Sequence, residues 1–195
     1  MTEQQFSPQD SLRLIQSMLE KTRGNLSDKS IHFLVWGWLT FIGCVGQFVL
    51  KHLLDYDKHY LVWWLVVPGV IFSFWQGRRE RRQSGARTYA GESLRHLWLG
   101  MGIAYFVLSM ILTRFGWDKI VFPFFIMMYG LGTFVSGSII RFPPLVAGGA
   151  VAFGIAVLAS FLEYDYQMLA AAAAILVSYI IPAYLLRSRN KHPST

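Results

Sequence analysis

The chain of 195 residues is 54% hydrophobic and only 15% charged, with a mean hydropathy of +0.39. Soluble domains carry about 25% charged residues, so this balance argues against a water-soluble globular domain and for a single integral membrane domain. The net charge of +7 and the pI near 9.7 would suit nucleic acid in a soluble protein. In a membrane protein, basic residues mark the cytoplasmic face and meet anionic headgroups, so membrane lipid is the expected partner and nucleic acid is not.

Residues 1–30 read as a cytoplasmic leader. Ser7 can cap a helix, Pro8 suits its first position, and Asp10 follows three residues after the cap. Leu12, Ile15 and Leu19 then share one face, Arg13, Gln16, Glu20 and Lys21 take the other, and Gly24 is a stop. The pattern predicts an amphipathic helix at about 8–23, packed on the protein's own bundle, with the headgroup plane or a partner as the alternatives. The leader lacks a basic start, an apolar core and a small-residue cleavage site, so no removable signal peptide is expected, and the first span acts as the targeting signal.

Six apolar stretches follow, at about 31–50, 60–76, 96–113, 119–140, 145–162 and 168–186, in a transmembrane domain of residues 31–186 with a polar tail at 187–195. Each approaches the ~20 residues that cross a bilayer core. Between the second and third lies Gly77 to Arg95, with Arg78, Arg79, Arg81, Arg82, Arg87 and Arg95 and no apolar run. Such a stretch must sit in water, and the positive-inside bias makes that water cytoplasmic. Lys and Arg then divide fourteen to four in favour of both termini inside. Trp36, Trp38, Trp75 and Trp98 fall near the inner ends of the spans, and Trp63, Trp64 and Trp117 near the outer ends, as interfacial belts require. The fold class is therefore an all-α integral membrane bundle of six transmembrane helices with an N-terminal amphipathic cytoplasmic helix.

The three outer links each place an acid beside an aromatic: Leu54-Asp55-Tyr56-Asp57, Gly116-Trp117-Asp118 and Leu162-Glu163-Tyr164-Asp165. The even spans each carry a proline, Pro68, Pro123 and Pro182. The pattern allows three repeated hairpins, or only the common needs of short outer links. Small residues recur four apart at Gly100 and Ala104, Gly132 and Ser136, Gly148 and Ala152, and Ala150 and Gly154, a spacing that lets helix backbones approach.

No Asp, Glu, Lys or Arg falls inside any span. Ion coupling and buried acid–base catalysis both lean on such groups. The intramembrane polar residues are milder: Gln47 first, then Thr40, Ser73, Ser109, Thr133, Ser136, Ser138, Ser160 and Ser178. Interhelical hydrogen bonding is their expected use, and a polar permeation path is the alternative. His52, Asp55, Asp57 and His59 make a metal-like cluster, but Lys51 and Lys58 lie inside it and would repel a cation. An ordinary outer link is the expectation there, with no metal and no cofactor. Cys44, among Gly43, Val45 and Gly46, reads as a small packing residue. Arg78, Arg79, Arg81, Arg82 and Arg87 are the expected contacts for anionic lipid or an acidic cytoplasmic partner.

Three motifs carry a family resemblance: Leu34-Val35-Trp36-Gly37-Trp38-Leu39 after an amphipathic leader, Arg141-Phe142-Pro143-Pro144-Leu145 opening the fifth span, and Tyr179-Ile180-Ile181-Pro182-Ala183-Tyr184-Leu185-Leu186 closing the sixth. Together they resemble a group of small, uncharacterised bacterial inner-membrane proteins of about this length and span count. The resemblance implies an inner-membrane location and carries over no catalytic or binding residue. The expected function is non-enzymatic: partner binding, regulation or assembly through the cytoplasmic face, with a homo-oligomer as a further option. A small facilitator or channel is the alternative, and a lipid-modifying enzyme the third.

Overall fold

The computed structural model describes residues 31, 33–83, 89–115 and 120–191. The leader helix expected at about 8–23, Arg87, the Gly116-Trp117-Asp118 link and residues 192–195 lie outside these, as do the side chains of Arg79, Arg81 and Arg82.

Among the described residues every regular element is helical. Helix α1 runs Phe33–Leu53, with its last turn, Val49–Leu53, widened into a π-helix. The chain reverses through Asp55, which takes a left-handed φ of 48°. A 3-10 segment, His59–Leu65, leads into α2, Val66–Gln83. Then come α3, Tyr89–Phe115, α4, Val121–Ile139, and α5, Pro143–Ala159. Helix α6, Tyr164–Ile175, passes through a π turn, Leu176–Ile180, into α7, Ile181–Lys191.

Two of the irregularities sit just before prolines. Proline has no N–H and collides with the carbonyl four residues back. Pro68 therefore withholds a bond from Trp64, and the chain just before it is wound tighter, as 3-10 helix. Pro182 withholds a bond from Ser178, and there the chain is wound wider, with the Ile181 N–H reaching Leu176. The three prolines of the even spans are not equivalent. Pro123 falls in the first turn of α4, whereas Pro68 and Pro182 lie within their crossing stretches, each just after an irregular turn.

Among the described residues, five stretches are long and apolar enough to cross a membrane: α1, the 3-10 segment with α2, α3, α4, and the α6–α7 rod. The sixth apolar helix, α5, has 17 residues, about 25 Å at 1.5 Å per residue. The arginine-rich stretch, expected to be a polar connection, is largely helix. Helix α2 continues to Gln83 and α3 already begins at Tyr89. Arg, Glu and Gln are good helix formers, so both rods run on past their apolar lengths. Likewise, the link expected at 163–167 is the first turn of α6, with Glu163 as its extended N-cap.

Most packed neighbours run antiparallel, whereas α4 and the α6–α7 rod run parallel, Phe122 meeting Tyr164 and Tyr129 meeting Tyr179. Gly37 of α1 meets Tyr179 and Ile180, while Gln47 at the other end of α1 meets Tyr164. Gly69 of α2 meets Leu39 and Trp36. Trp98 and Tyr105 of α3 meet Gly132 and Phe125 of α4. The loop ends therefore sort into two sets: residues near 33, 95, 141 and 187 at one end, and those near 53, 59 and 164 at the other.

The core is α4, α5 and the α6–α7 rod, drawn together by glycine. A Cβ on Gly149 would stand 2.6 Å from the Phe134 backbone nitrogen, and one on Gly148 would stand 2.8 Å from the Ser178 Cα. Gly130 and Gly137 admit α5 to α4 in the same way. Leu145, Ala152, Ala159, Met168 and Ala183 are fully enclosed between these helices. The Gly148–Ala152 pair is thus split between two neighbours, Ser178 on one side and Gly130 on the other. Gly100 and Gly154, expected to pack, face open space within the chain. Helices α2 and α3 stay peripheral and expose large apolar side chains, Phe74, Ile103, Phe106 and Met110 among them, as lipid-facing helices do.

Glycine packing predicts opposite outcomes for two substitutions on α5. Gly149→Ala forces backbone apart and should cost about 1–3 kcal/mol by overpacking. Gly154→Ala enters open space, and the better helix propensity of alanine should leave stability unchanged or raised by up to about 1 kcal/mol. Thermal unfolding midpoints of the purified variants in one detergent decide between equal and opposite effects.

Candidate functional site

The densest polar cluster lies where α1 ends, the 3-10 segment starts and α6 begins. Gln47 is at its centre and is 2% exposed. The Trp63 indole N–H donates to Gln47 Oε1 at 2.7 Å. Gln47 Nε2 lies 3.1 Å from His59 Nδ1 and donates to the Tyr164 hydroxyl at 3.2 Å. One amide thus joins three segments of the chain. Gly43 and Gly46 allow it, because a Cβ on the first would stand 3.3 Å from the Trp63 ring and one on the second 3.0 Å from Val62.

An ionic layer sits beside the amide. Asp165 in the first turn of α6 pairs with the Lys51 ammonium and with His52 Nδ1 at 3.3 Å. Lys51 also stands 4.3 Å from the centre of the Tyr164 ring, close enough for a cation–π contact. Phe48 stacks on His52 at 5.1 Å. The widened turn Val49–Leu53 brings Lys51 and His52 to the same carboxylate, although they are adjacent in sequence. His59 is the first residue of the second crossing stretch and Asp165 the second residue of the last, so both stand at the ends of membrane-crossing lengths.

The metal-like residues do not assemble. His52 goes to Asp165, His59 goes to Gln47, and Asp55 and Asp57 face outward. Among the described residues no three His, Cys, Asp or Glu side chains gather as a metal site would require. Of the arginines singled out for lipid or partner contact, Arg78 is described and is exposed on α2.

The hydroxyls inside the spans turn mainly to their own helices. Thr133 donates to the Tyr129 carbonyl at 2.7 Å, Ser109 to Tyr105 at 2.8 Å, Ser138 to Phe134 at 3.0 Å and Ser160 to Val157 at 2.6 Å. Two act between helices. Thr40 bonds the Trp36 carbonyl and also the Tyr129 hydroxyl at 2.7 Å, and Ser73 accepts from the Trp36 indole at 2.9 Å. The Ser136 and Ser178 hydroxyls are buried without a hydrogen-bond partner.

Toward the other end the bundle is closed by rings. Tyr179 packs edge-on against Phe33 at 5.0 Å, Tyr129 at 5.6 Å and Trp98 at 5.9 Å, and Tyr129 continues to Tyr105 at 5.8 Å. Sequence reasoning singled out Gln47, His52 and His59, but as separate features. It missed Trp63, Tyr164 and Asp165 as their partners. The signal was the acid-plus-aromatic pattern of the outer links, which places these groups at one membrane depth. No family model, curated protein or solved structure matches the chain.

The two layers should differ in weight. Gln47→Leu leaves the half-buried donors and acceptors of Trp63, His59 and Tyr164 without their shared partner and should cost about 1–3 kcal/mol. Asp165→Asn breaks a partly exposed ion pair and should cost under about 1 kcal/mol. Chemical unfolding of both variants in mixed micelles checks the order, and an equal loss would contradict it.

Proposed function

We propose that the chain is a non-enzymatic, multi-pass protein of a bacterial inner membrane that binds a partner or stabilises an assembly. It crosses six times, α5 included, with both termini in the cytoplasm, and it belongs with the small inner-membrane proteins it resembles. The observation that carries this reading is the way its polar groups are used. Apart from Ser136 and Ser178, the span hydroxyls return to their own backbone or tie one helix to the next, and Gln47 is spent on joining three segments. A solute path asks for the reverse, polar atoms aimed into a common space. A hydrolytic site asks for a nucleophile or metal beside a positioned base, and the histidines are committed to Gln47 and Asp165.

The orientation rests on charge. Arg78, Arg95, Arg141 and Arg187 gather at one end of the bundle and are exposed there. Asp55, Asp57, Glu163 and Asp165 lie at the other. That separation is the positive-inside pattern, and the basic end is the surface offered to anionic headgroups and to an acidic cytoplasmic partner.

Two measurements test the reading. Purified protein in liposomes should pass ions and small neutral solutes no faster than empty liposomes, and a selective flux would replace the assembly role with a transport role. In intact cells lacking Cys44, Asp57→Cys should react with an impermeant thiol reagent and Glu80→Cys should not. The reverse pattern would invert the topology.

A further inference from the structure

We propose that His59 is a proton-operated latch: neutral, it ties the connection between α1 and α2 to α6 through Gln47, and a second proton on its ring releases it. Donors and acceptors fix the form of the ring. The Trp63 indole can only donate, so the Gln47 oxygen must face it, as it does at 2.7 Å. The Gln47 NH2 group therefore faces both His59 and Tyr164. An NH2 group offers only hydrogens, so His59 Nδ1, 3.1 Å away, must be the unprotonated acceptor, with the ring proton on Nε2. The next proton can only go to Nδ1. There it meets the amide hydrogens head-on, and the contact turns from attractive to repulsive. Gln47 cannot turn over to receive it without opposing its NH2 to the Trp63 N–H.

The charged groups around the ring favour this outcome. Lys51 on α1 opposes a second positive charge. Asp165 on α6 would welcome one, but it is engaged by Lys51 and His52. Asp57 in the connection is exposed, and on α6 the Tyr164 hydroxyl is bonded to Gln47. The neighbouring Tyr60 ring meets His59 edge-on at 6.2 Å. The folded contact needs the unprotonated ring, so its contribution is complete above the ordinary histidine value, about pH 6.5, and is lost as pH falls below it. The contact of His52 with Asp165 survives protonation, because a carboxylate accepts from either ring form. Acid therefore loosens one layer of the cluster and leaves the other.

The segment released is His59–Leu65, which has no buried residue of its own and leads directly into peripheral α2. The opposite end of the bundle is held by aromatic packing and does not respond. The latch stands whether or not the assembly role holds, since it is read on the purified chain.

The test uses the full chain in lipid nanodiscs. Hydrogen exchange at His59–Leu65, corrected for the intrinsic effect of pH, is compared at about pH 7.5 and about pH 5.5, either side of the ordinary histidine value. Wild type should exchange faster at the lower pH by up to roughly tenfold, a loss of up to about 1.4 kcal/mol. His59→Gln keeps an acceptor without titrating and should stay protected at both. His52→Gln should keep the wild-type response. The 15N spectrum of labelled wild type should show His59 with an unprotonated Nδ1 at neutral pH, which decides the matter even where a variant folds poorly. Equal wild-type protection at both pH values, the same acid response in His59→Gln, or a protonated Nδ1 at neutral pH would each overturn the latch.

Discussion

A polar group inside hydrocarbon has no water to bond, and that shortage governs most of this molecule. It dictates helices, because only there does the backbone satisfy itself within one segment. It then dictates what the side chains do. Thr133, Ser109 and Ser138 spend their hydroxyls on their own backbone carbonyls, and Thr40 reaches across to Tyr129. Gln47, with four bonding positions to fill, needs three partners and finds Trp63, His59 and Tyr164. The amide is a structural joint because nothing less would settle it in an apolar setting.

With no hydrophobic gain from moving a leucine out of lipid, helix association must come from close contact and from hydrogen bonds. The two appear in different places. Close contact dominates where α5 meets α4 and the α6–α7 rod, since Gly137, Gly148 and Gly149 bring backbone onto backbone. The proline-freed carbonyl of Ser178 lies against Gly148 there, where an added Cβ would stand 2.9 Å from its oxygen, so the π turn and the glycine answer each other. Hydrogen bonds take over where α1 and the 3-10 segment join, because Gly43 and Gly46 admit the Trp63 ring and Val62 but no second backbone. The result is a tight, unresponsive half and a polar, adjustable one.

The membrane character and the positions of the helices were legible in the sequence, since apolar length and cationic breaks are local signals. Helix ends were less so. Arginine is a good helix former, so charge marks where hydrocarbon ends without marking where the helix ends, and α2 and α3 run on into the arginine-rich stretch. Small-residue spacing was an incomplete guide. Gly148 and Gly149 meet backbone while Gly100 and Gly154 meet nothing in the chain, yet all four look alike by spacing. The cluster was the hardest to read. Lys51 and Asp165 are 114 residues apart, and Gln47 and Tyr164 are 117 apart. Only the antiparallel return of the α6–α7 rod along α1 brings them together. His52 and His59 drew notice for the wrong reason: their spacing suggested a shared ligand, and each instead bonds a residue on a different element.

Why the polar joint sits at the acidic end and not at the basic one follows from the same shortage. At the acidic end, α1, the 3-10 segment and α6 meet through residues such as Tyr164 and Asp165, whose outer faces reach water, so Lys51 and His52 can be half solvated and half bonded. At the basic end the corresponding space is filled by Phe33, Trp98 and Tyr179, edge to face. Arginines there are exposed at the helix ends, where long side chains can reach headgroups and add nothing that must be neutralised within. A bundle built this way can change its hydrogen bonds at one end without disturbing the ring packing at the other. Among the described residues, the hydrogen-bonded cluster around Gln47 is therefore the adjustable end and the ring-packed end the rigid one.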